Sequence, residues 1–99
     1  MAYNPGALEA ALAAVVGDEP SLIAELRRAF FESAQVHVNT MTRTSKRDEW
    51  RAAATRLHSL AASFGAIRLM DIATEAEQAP RIDPSMLRKI ERAIGANDL

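Results

Sequence analysis

The stretch Trp50-Arg-Ala-Ala-Ala-Thr-Arg-Leu-His-Ser-Leu-Ala-Ala-Ser-Phe-Gly65 decides the fold of this chain. Successive residues of an α-helix are separated by 100°, and at that spacing the stretch forms a helix with two distinct sides. One side is apolar and predicts a core stripe, made of Trp50, Ala53, Ala54, Leu57, Leu60, Ala61 and Phe64. The other side carries Arg51, Thr55, His58, Ser59 and Ala62.

The second side is unusual for a helix that faces solvent. Such faces usually carry long polar side chains, whereas here small residues surround His58. A surface of this kind indicates that another molecule docks on it. The alternative is an ordinary alanine-rich helix whose histidine happens to point outward.

The composition predicts one all-α domain that spans residues 1–99. A chain of 99 residues can bury a single core without covalent cross-links. Alanine supplies much of the 48% hydrophobic fraction, aromatic residues make up only 5%, and no segment alternates apolar and polar residues over the length of a strand. The absence of cysteine excludes a disulfide framework, a thiolate metal site and a cysteine nucleophile.

Charge and hydropathy exclude two classes of partner. No apolar run reaches the roughly 18 residues of a membrane span, and the N-terminus lacks the pattern of a signal peptide. We therefore expect a cytoplasmic protein without a membrane partner. The net charge of −1 gives no case for a nucleic-acid partner. A local basic patch around the central helix would favour an acidic partner or a phosphate: Arg43, Lys46, Arg47, Arg51, Arg56 and Arg68.

Two helices are predicted before the central one. Pro5 can open a short helix with Leu8, Leu12 and Val15 on its apolar side, and Gly17 can end it. Asp18-Glu-Pro20 then predicts the start of a long helix that runs to about Thr42. Its inward positions are expected to be Leu22, Ile23, Leu26, Ala29, Phe30, Ala34, His37 and Met41. We interpret His37 as a structural histidine of the bundle, since no metal-ligand partner stands near it in the helix.

Short connections join the remaining helices. A polar link over 42–45 precedes the central helix of about 46–64, which Gly65 breaks. The next helix, over about 66–78, is predicted to face inward through Leu69, Ile72, Ala73 and Ala76. Asp83-Pro84 opens the last helix, with Leu87, Ile90 and Ile94 as its core stripe and Gly95 as its end. The pattern predicts an up-and-down four-helix bundle with a short extra N-terminal helix packed over one end.

Few chemistries are open to such a chain. It has no glycine-rich phosphate loop, no zinc-binding His-Glu-x-x-His and no nucleophile elbow, and we expect neither a metal nor a cofactor. Reversible phosphoryl transfer to an imidazole needs very little, because a neutral imidazole nitrogen is a competent nucleophile near pH 7. The imidazole must be exposed on a rigid element and flanked by small residues so that a phospho-aspartate can approach in line. His58 meets that description and is the candidate phosphoacceptor.

Segments 17–34 and 64–77 resemble the first long helix and the segment after the active helix of histidine phosphotransfer (HPt) domains of multistep bacterial phosphorelays. The resemblance begins at about Leu8 and covers nearly the whole chain. It implies a helical bundle that acts in two-component signal transduction as a phosphoryl carrier, with phosphohistidine as its intermediate, rather than as an autonomous enzyme. The implied partners are a response-regulator receiver domain, a hybrid histidine kinase, or both.

The active motif fits the HPt pattern in two registers. The pattern is roughly Ala-His-x-Leu-Lys-Gly, then five residues, then Gly-Ala. In the first register, His58-Ser-Leu60 supplies the His-x-Leu, and about three residues are missing before Gly65. The second has no gap, and it places Thr55 at the acceptor position and His58 at the lysine position.

Helix geometry favours the ungapped register. Removing three residues from a helix interior would rotate the remainder by about 60° and shorten it by about 4.5 Å, although the core stripe is in phase as written. Threonine cannot replace the acceptor histidine, because its alkoxide is far too basic and its phosphate ester is not readily transferable.

Three functions therefore stay open. The first is a phosphorelay protein that docks a receiver domain through Arg51, Thr55, Ser59 and Ala62 and accepts phosphate on His58. The second is a degenerate HPt protein that binds a receiver or kinase without carrying phosphate. The third is a plain helical adaptor whose small-residue face packs on a second copy, although the sequence favours a monomer.

Overall fold

The computed structural model describes the backbone of residues 7–17 and 19–99, and the side chains of residues 10–17 and 19–99. Within these residues the chain forms five helices and no strand: α1 (Ala7–Val16), α2 (Pro20–Arg43), α3 (Arg47–Ser63), α4 (Ile67–Gln78) and α5 (Pro84–Gly95). The predicted all-α class is confirmed, and the helix bounds lie within a few residues of those expected. The predicted roles of Pro5, of the Leu8 side chain and of Asp18 lie outside what the structure describes.

Helices α2 to α5 form the bundle. Each packs against the next along the chain, and α5 also packs against α2, which closes the ring. Helix α3 supplies more buried residues than any other described helix. Of the core side predicted for it, Leu60 and Phe64 are partly buried, and five residues are buried: Trp50, Ala53, Ala54, Leu57 and Ala61. The four inward residues predicted for α4 are all buried as well. The central helix thus holds the bundle together with one side and leaves its other side open.

The short helix α1 packs against α2 and reaches the turn between α3 and α4. Gly65 occupies this turn with φ +71°, a left-handed conformation that favours glycine. The amide of Ala66 donates to the carbonyl of Ala61 at 2.8 Å, and the amide of Gly65 donates to that of Ala62 at 3.3 Å, which is the Schellman pattern of helix ends. A Cβ atom at Gly65 would lie 2.9 Å from Cβ of Ala11, so the turn also needs glycine to admit α1.

Both ends of α5 are fixed by local hydrogen bonds. The Asp83 carboxylate accepts from the amide and the hydroxyl of Ser85, and these hydrogen bonds lower the pKa of Asp83. Gly95 was expected to end the helix, but it is still helical, and Asn97 takes the left-handed conformation instead, with φ 55°. Asparagine tolerates this conformation, so the Schellman turn falls two residues later than predicted.

Residues after α5 return to the start of α4. The carbonyl of Leu99 accepts from the amide of Arg68 at 2.9 Å, and the carboxylate of Asp98 accepts from Nε of the same arginine at 2.8 Å. The side chain of Leu99 is buried against the core. This tail therefore satisfies one of the free amides at the N-terminus of α4.

Three predicted core positions were wrong. Leu22 and Ala29 of α2 are exposed, and Val15 of α1 is 79% exposed, whereas Val38, not among the predicted inward residues, is buried. Leu22 and Ala29 lie roughly 80–100° around the axis from Phe30, which is fully buried. The neighbouring helices cover only the Phe30 side of α2. The apolar stripe in the sequence is therefore wider than the surface that these helices bury.

Candidate functional site

One exposed side of α3 carries all of the predicted site residues. We call Arg51, Thr55, His58, Ser59 and Ala62 the α3 face. Four of these residues are exposed, and His58 is half-buried. Because their neighbours Leu57 and Ala61 are fixed in the core on the opposite side, the face is held on a rigid element. The structure therefore brings together the five residues that the sequence singled out.

His58 presents its imidazole among small neighbours. No hydrogen bond to this side chain is formed within the part of the chain that the structure describes. Thr55 and Ala62 stand three and four residues away, which puts each of them next to His58 on the helix surface. The imidazole nitrogens are therefore not committed to an internal partner among the described residues, and a docking molecule can approach them.

Two hydroxyl groups on the exposed part of α3 donate hydrogen bonds back to the helix backbone. The hydroxyl of Thr55 donates to the carbonyl of Arg51 at 3.0 Å, and the hydroxyl of Ser63 donates to the carbonyl of Ser59 at 3.0 Å. Such bonds to the residue four positions earlier are usual for helical serine and threonine. The hydroxyl hydrogen of Thr55, which stands one helical turn before His58, is therefore engaged within the helix.

The second histidine belongs to a different place. His37 lies on α2, is half-buried, and has its pKa lowered first by burial and second by the positive charge of Arg56. Arg56 and His58 are separated by roughly 200° around the axis of α3, so His37 faces the side of α3 away from the α3 face. This position agrees with the structural role predicted for His37.

An apolar cleft next to the α3 face was not predicted. Its volume is about 190 Å³, and it is lined by Ala11, Leu12, Val15, Leu26, Ser63 and Phe64. Ser63 follows Ser59 by one helical turn, so the cleft adjoins the α3 face. The sequence of α1 did indicate an apolar contact, because only one of its ten residues is polar, and that residue is charged. A helix with one side in solvent usually carries more polar residues than this.

The predicted basic patch does not form one cluster. Arg43 and Lys46 line a cleft at the turn between α2 and α3, and Arg47 donates to the carbonyl of Ala79. The charge of Arg56 lowers the pKa of His37, and Arg68 forms an ion pair with Asp98 at the end of the bundle. Only Arg51 of the expected set belongs to the α3 face, so the sequence overstated the local positive charge there.

The comparisons with known proteins identify the fold. A family model described as Hpt domain matches residues 25–98, about three quarters of the chain. The chain belongs to the Hpt domain family. Membership of the Hpt domain family suggests a phosphotransfer signalling role in two-component systems. No curated protein and no solved structure is similar enough to count as a match. Across residues 7–17 and 19–99, none of the helices is both long and apolar enough to cross a membrane.

In this Hpt domain, the two candidate acceptor residues lie close together on α3. The helix runs without interruption from Arg47 to Ser63, and Thr55 and His58 are about 4.5 Å apart along its axis. Both belong to the exposed side. The ungapped register predicts Thr55 at the acceptor position, and the chemistry of phosphoryl transfer predicts His58 as the acceptor. One docked partner would cover both residues.

Proposed function

We propose that this Hpt domain docks the receiver domain of a response regulator on the α3 face and accepts its phosphoryl group on His58. The observation that carries the proposal is the half-buried imidazole of His58, which has no hydrogen-bond partner among the described residues and stands on a rigid helix with Thr55, Ser59 and Ala62 as small exposed neighbours. A receiver must bring its phospho-aspartate into line with the accepting nitrogen, and long side chains at these positions would block that approach.

The transfer step needs little from this chain. A ring nitrogen of neutral His58 attacks the phosphorus of the aspartyl phosphate, an N–P bond forms, and the bond from phosphorus to the acyl oxygen breaks. The receiver's aspartate leaves as a carboxylate, and the other ring nitrogen releases its proton to solvent. The receiver supplies the divalent cation and most of the charge stabilisation. Arg51, on the same face, adds a positive charge toward the phosphoryl group.

The apolar cleft supplies the contact area that the small-residue face lacks. Val15 and Leu26 offer apolar surface beside α3, and Phe64 forms part of its wall. Interface energy concentrates in such apolar centres, whereas small residues contribute mainly by allowing close approach. We therefore include the cleft in the proposed docking surface.

A second function has its own supporting observation. Thr55 occupies the acceptor position of the ungapped register, and its hydroxyl is engaged with the carbonyl of Arg51. In this version the Hpt domain docks a receiver or a kinase and carries no phosphate. It would then act by occupying the partner's docking surface. The two versions share the α3 face and differ only in whether His58 forms a bond to phosphorus.

Phosphate transfer from radiolabelled phospho-receivers tests both versions. The wild type is compared with His58→Ala and Thr55→Ala, and an ordinary Hpt domain serves as the positive control. Acid-labile, base-stable label that is lost only in His58→Ala supports the phosphoacceptor. Receiver binding without label, unchanged in His58→Ala, supports the docking version. If the wild type neither binds nor takes label from receivers that label the control, or forms a dimer that buries His58, the proposal is wrong.

A further inference from the structure

A polar cleft lies between α4 and α5, away from the α3 face. Its volume is about 270 Å³, and Ile72 and Ala93 contribute apolar wall. None of its lining residues belongs to α3. The cleft therefore shares no residue with the α3 face or with the apolar cleft beside it.

Positive charge dominates the cleft. Arg68, Lys89 and Arg92 line it, and Asp98 is the one acidic residue among the described lining residues. Glu75, which pairs with Lys89, is a second carboxylate beside the cleft, so the cations exceed these carboxylates by one. An excess of positive charge around a small cleft favours anions.

Two of the cations already hold oxyanions. Nε of Arg68 lies 2.8 Å from a carboxylate oxygen of Asp98, and Nζ of Lys89 lies 2.9 Å from a carboxylate oxygen of Glu75. All four side chains are more than a third exposed, and exposed pairs of this kind contribute little to stability. The two carboxylates can therefore turn away when a stronger anion arrives.

The third cation has no such partner. No carboxylate among the described residues lies within ion-pair distance of Arg92. Its guanidinium carries a planar set of donors that suits a phosphate or a carboxylate. Arg92 thus adds a cation without a carboxylate partner among the described residues to a cleft whose other two cations have exposed, weakly held partners.

We propose that the cleft between α4 and α5 binds a small phosphate-type oxyanion through Arg68, Lys89 and Arg92. A group with two or more negative charges is preferred to a single carboxylate, because it interacts with several cations at once. Asp98 competes with the ligand for Arg68 and sets a limit on its affinity. The site is independent of His58 and of phosphoryl transfer.

Pyrophosphate is the probe for this site, and backbone amide NMR shifts on the full chain measure its binding. We expect saturable shifts confined to α4, α5 and the tail, with a Kd that rises roughly tenfold in Arg92→Gln. Arg88→Gln removes the same charge from an exposed position of α5 outside the cleft, and its Kd should stay within about twofold of the wild type. Asp98→Asn should bind pyrophosphate more tightly, because it frees Arg68.

Two results would overturn the proposal. The first is an equal loss of affinity in Arg92→Gln and Arg88→Gln, which would reduce the effect to net charge. The second is reproduction of the shifts by sodium chloride at matched ionic strength. Comparison of pyrophosphate with metal-free ATP then separates the two sources of the ligand: equal affinity assigns the site to the phosphate groups alone, and tighter ATP binding assigns it to a nucleotide. Melting temperatures of the variants confirm that each is folded.

Discussion

The indole nitrogen of Trp50 donates a hydrogen bond to the backbone carbonyl of Ala76 at 3.0 Å, in the buried interface between α3 and α4. Trp50 lies near the start of α3, and Ala76 lies in the last turn of α4. This bond ties the two helices at the end of the bundle away from Gly65. It fixes the rotation of α3, and with it the direction in which the α3 face points.

Removing this bond should destabilise the fold. We expect Trp50→Phe to lower the free energy of unfolding by about 2 kcal/mol, from the lost hydrogen bond and the smaller buried ring. Urea denaturation followed by circular dichroism measures it. Arg47→Gln is the matched control, because Arg47 donates to the nearby carbonyl of Ala79 from an exposed position. Its effect should stay within about 0.5 kcal/mol, and equal losses in both variants would contradict the argument.

Substitution of the two glycines that adopt the left-handed conformation distinguishes the cost of backbone strain from the cost of steric contact. Gly17 and Gly65 have φ +73° and +71°, but a Cβ at Gly17 would meet no described atom within 4 Å, whereas one at Gly65 would meet Cβ of Ala11. Gly17→Ala should therefore cost only about 1 kcal/mol of unfolding free energy, from conformation alone. Gly65→Ala should cost about 1–3 kcal/mol more, because α1 must move.

Thermal and urea unfolding of the two variants test the difference. A third variant combines Gly65→Ala with Ala11→Gly, which removes the atom that the new methyl group would strike. Compared with Ala11→Gly alone, which itself loses about 1 kcal/mol because glycine is unfavourable inside a helix, the double variant should show only the conformational part of the Gly65→Ala cost. If Gly17→Ala and Gly65→Ala prove equally unstable, the close contact between α1 and the α3–α4 turn plays no part.

The sequence correctly predicted those features of the fold that depend only on the pattern within a single helix. The core side of α3 and the four inward residues of α4 follow directly from helical spacing, and Asp83-Pro84 marks the start of α5 because capping is local. The exposure of Leu22, Ala29 and Val15 could not be predicted in this way. It depends on which neighbour covers each side of a helix, and a single helix carries no record of that.

The same distinction, between features of one helix and features of several, applies to the candidate site. The α3 face could be predicted because its five residues share one helix. The few polar residues of α1 indicated that this helix is covered, but the apolar cleft could not be located, since Val15, Leu26 and Phe64 belong to α1, to α2 and to the C-cap of α3 and meet only in the folded chain. Whether His58 accepts phosphate depends on a partner that neither the helix pattern nor the packing contains, and it stays a prediction.

The pKa of His37 makes stability depend on pH. Burial, and then the charge of Arg56, lower this pKa, so the folded state binds a proton on His37 less readily than the unfolded chain does. The stabilising contribution is complete above the pKa of histidine in the unfolded chain and is lost as the pH falls through and below it. We expect His37→Gln to flatten the fall in stability on the acid side of neutrality. Arg56→Gln should raise the pKa of His37, measured by NMR titration of the imidazole, and an unchanged pKa would contradict the assigned second cause.

A charge in the apolar cleft should weaken receiver binding. Val15 is 79% exposed and lines the cleft, and Val36 is 59% exposed on α2 outside it. We expect Val15→Asp to raise the Kd for a receiver roughly tenfold, because a carboxylate must then be desolvated in the apolar part of the interface. Val36→Asp adds the same charge and should change the Kd by less than about twofold. Calorimetric titration measures both, and equal weakening would place the cleft outside the docking surface.

The register of the active motif can be tested by restoring the missing histidine. In the ungapped register Thr55 takes the acceptor position, so Thr55→His should place an imidazole where a docked receiver presents its phospho-aspartate. We expect this variant, built with His58→Ala to remove the native candidate, to gain acid-labile label from phospho-receivers. Ala62→His in the same background is the control, because it adds an imidazole to the same exposed face about 10.5 Å further along the helix.

Label on Thr55→His alone supports the ungapped register and locates the phospho-aspartate over Thr55. Label on both variants would mean that any imidazole on the α3 face suffices. A labelled wild type together with an unlabelled Thr55→His variant would instead assign the acceptor position to His58 and the gapped register.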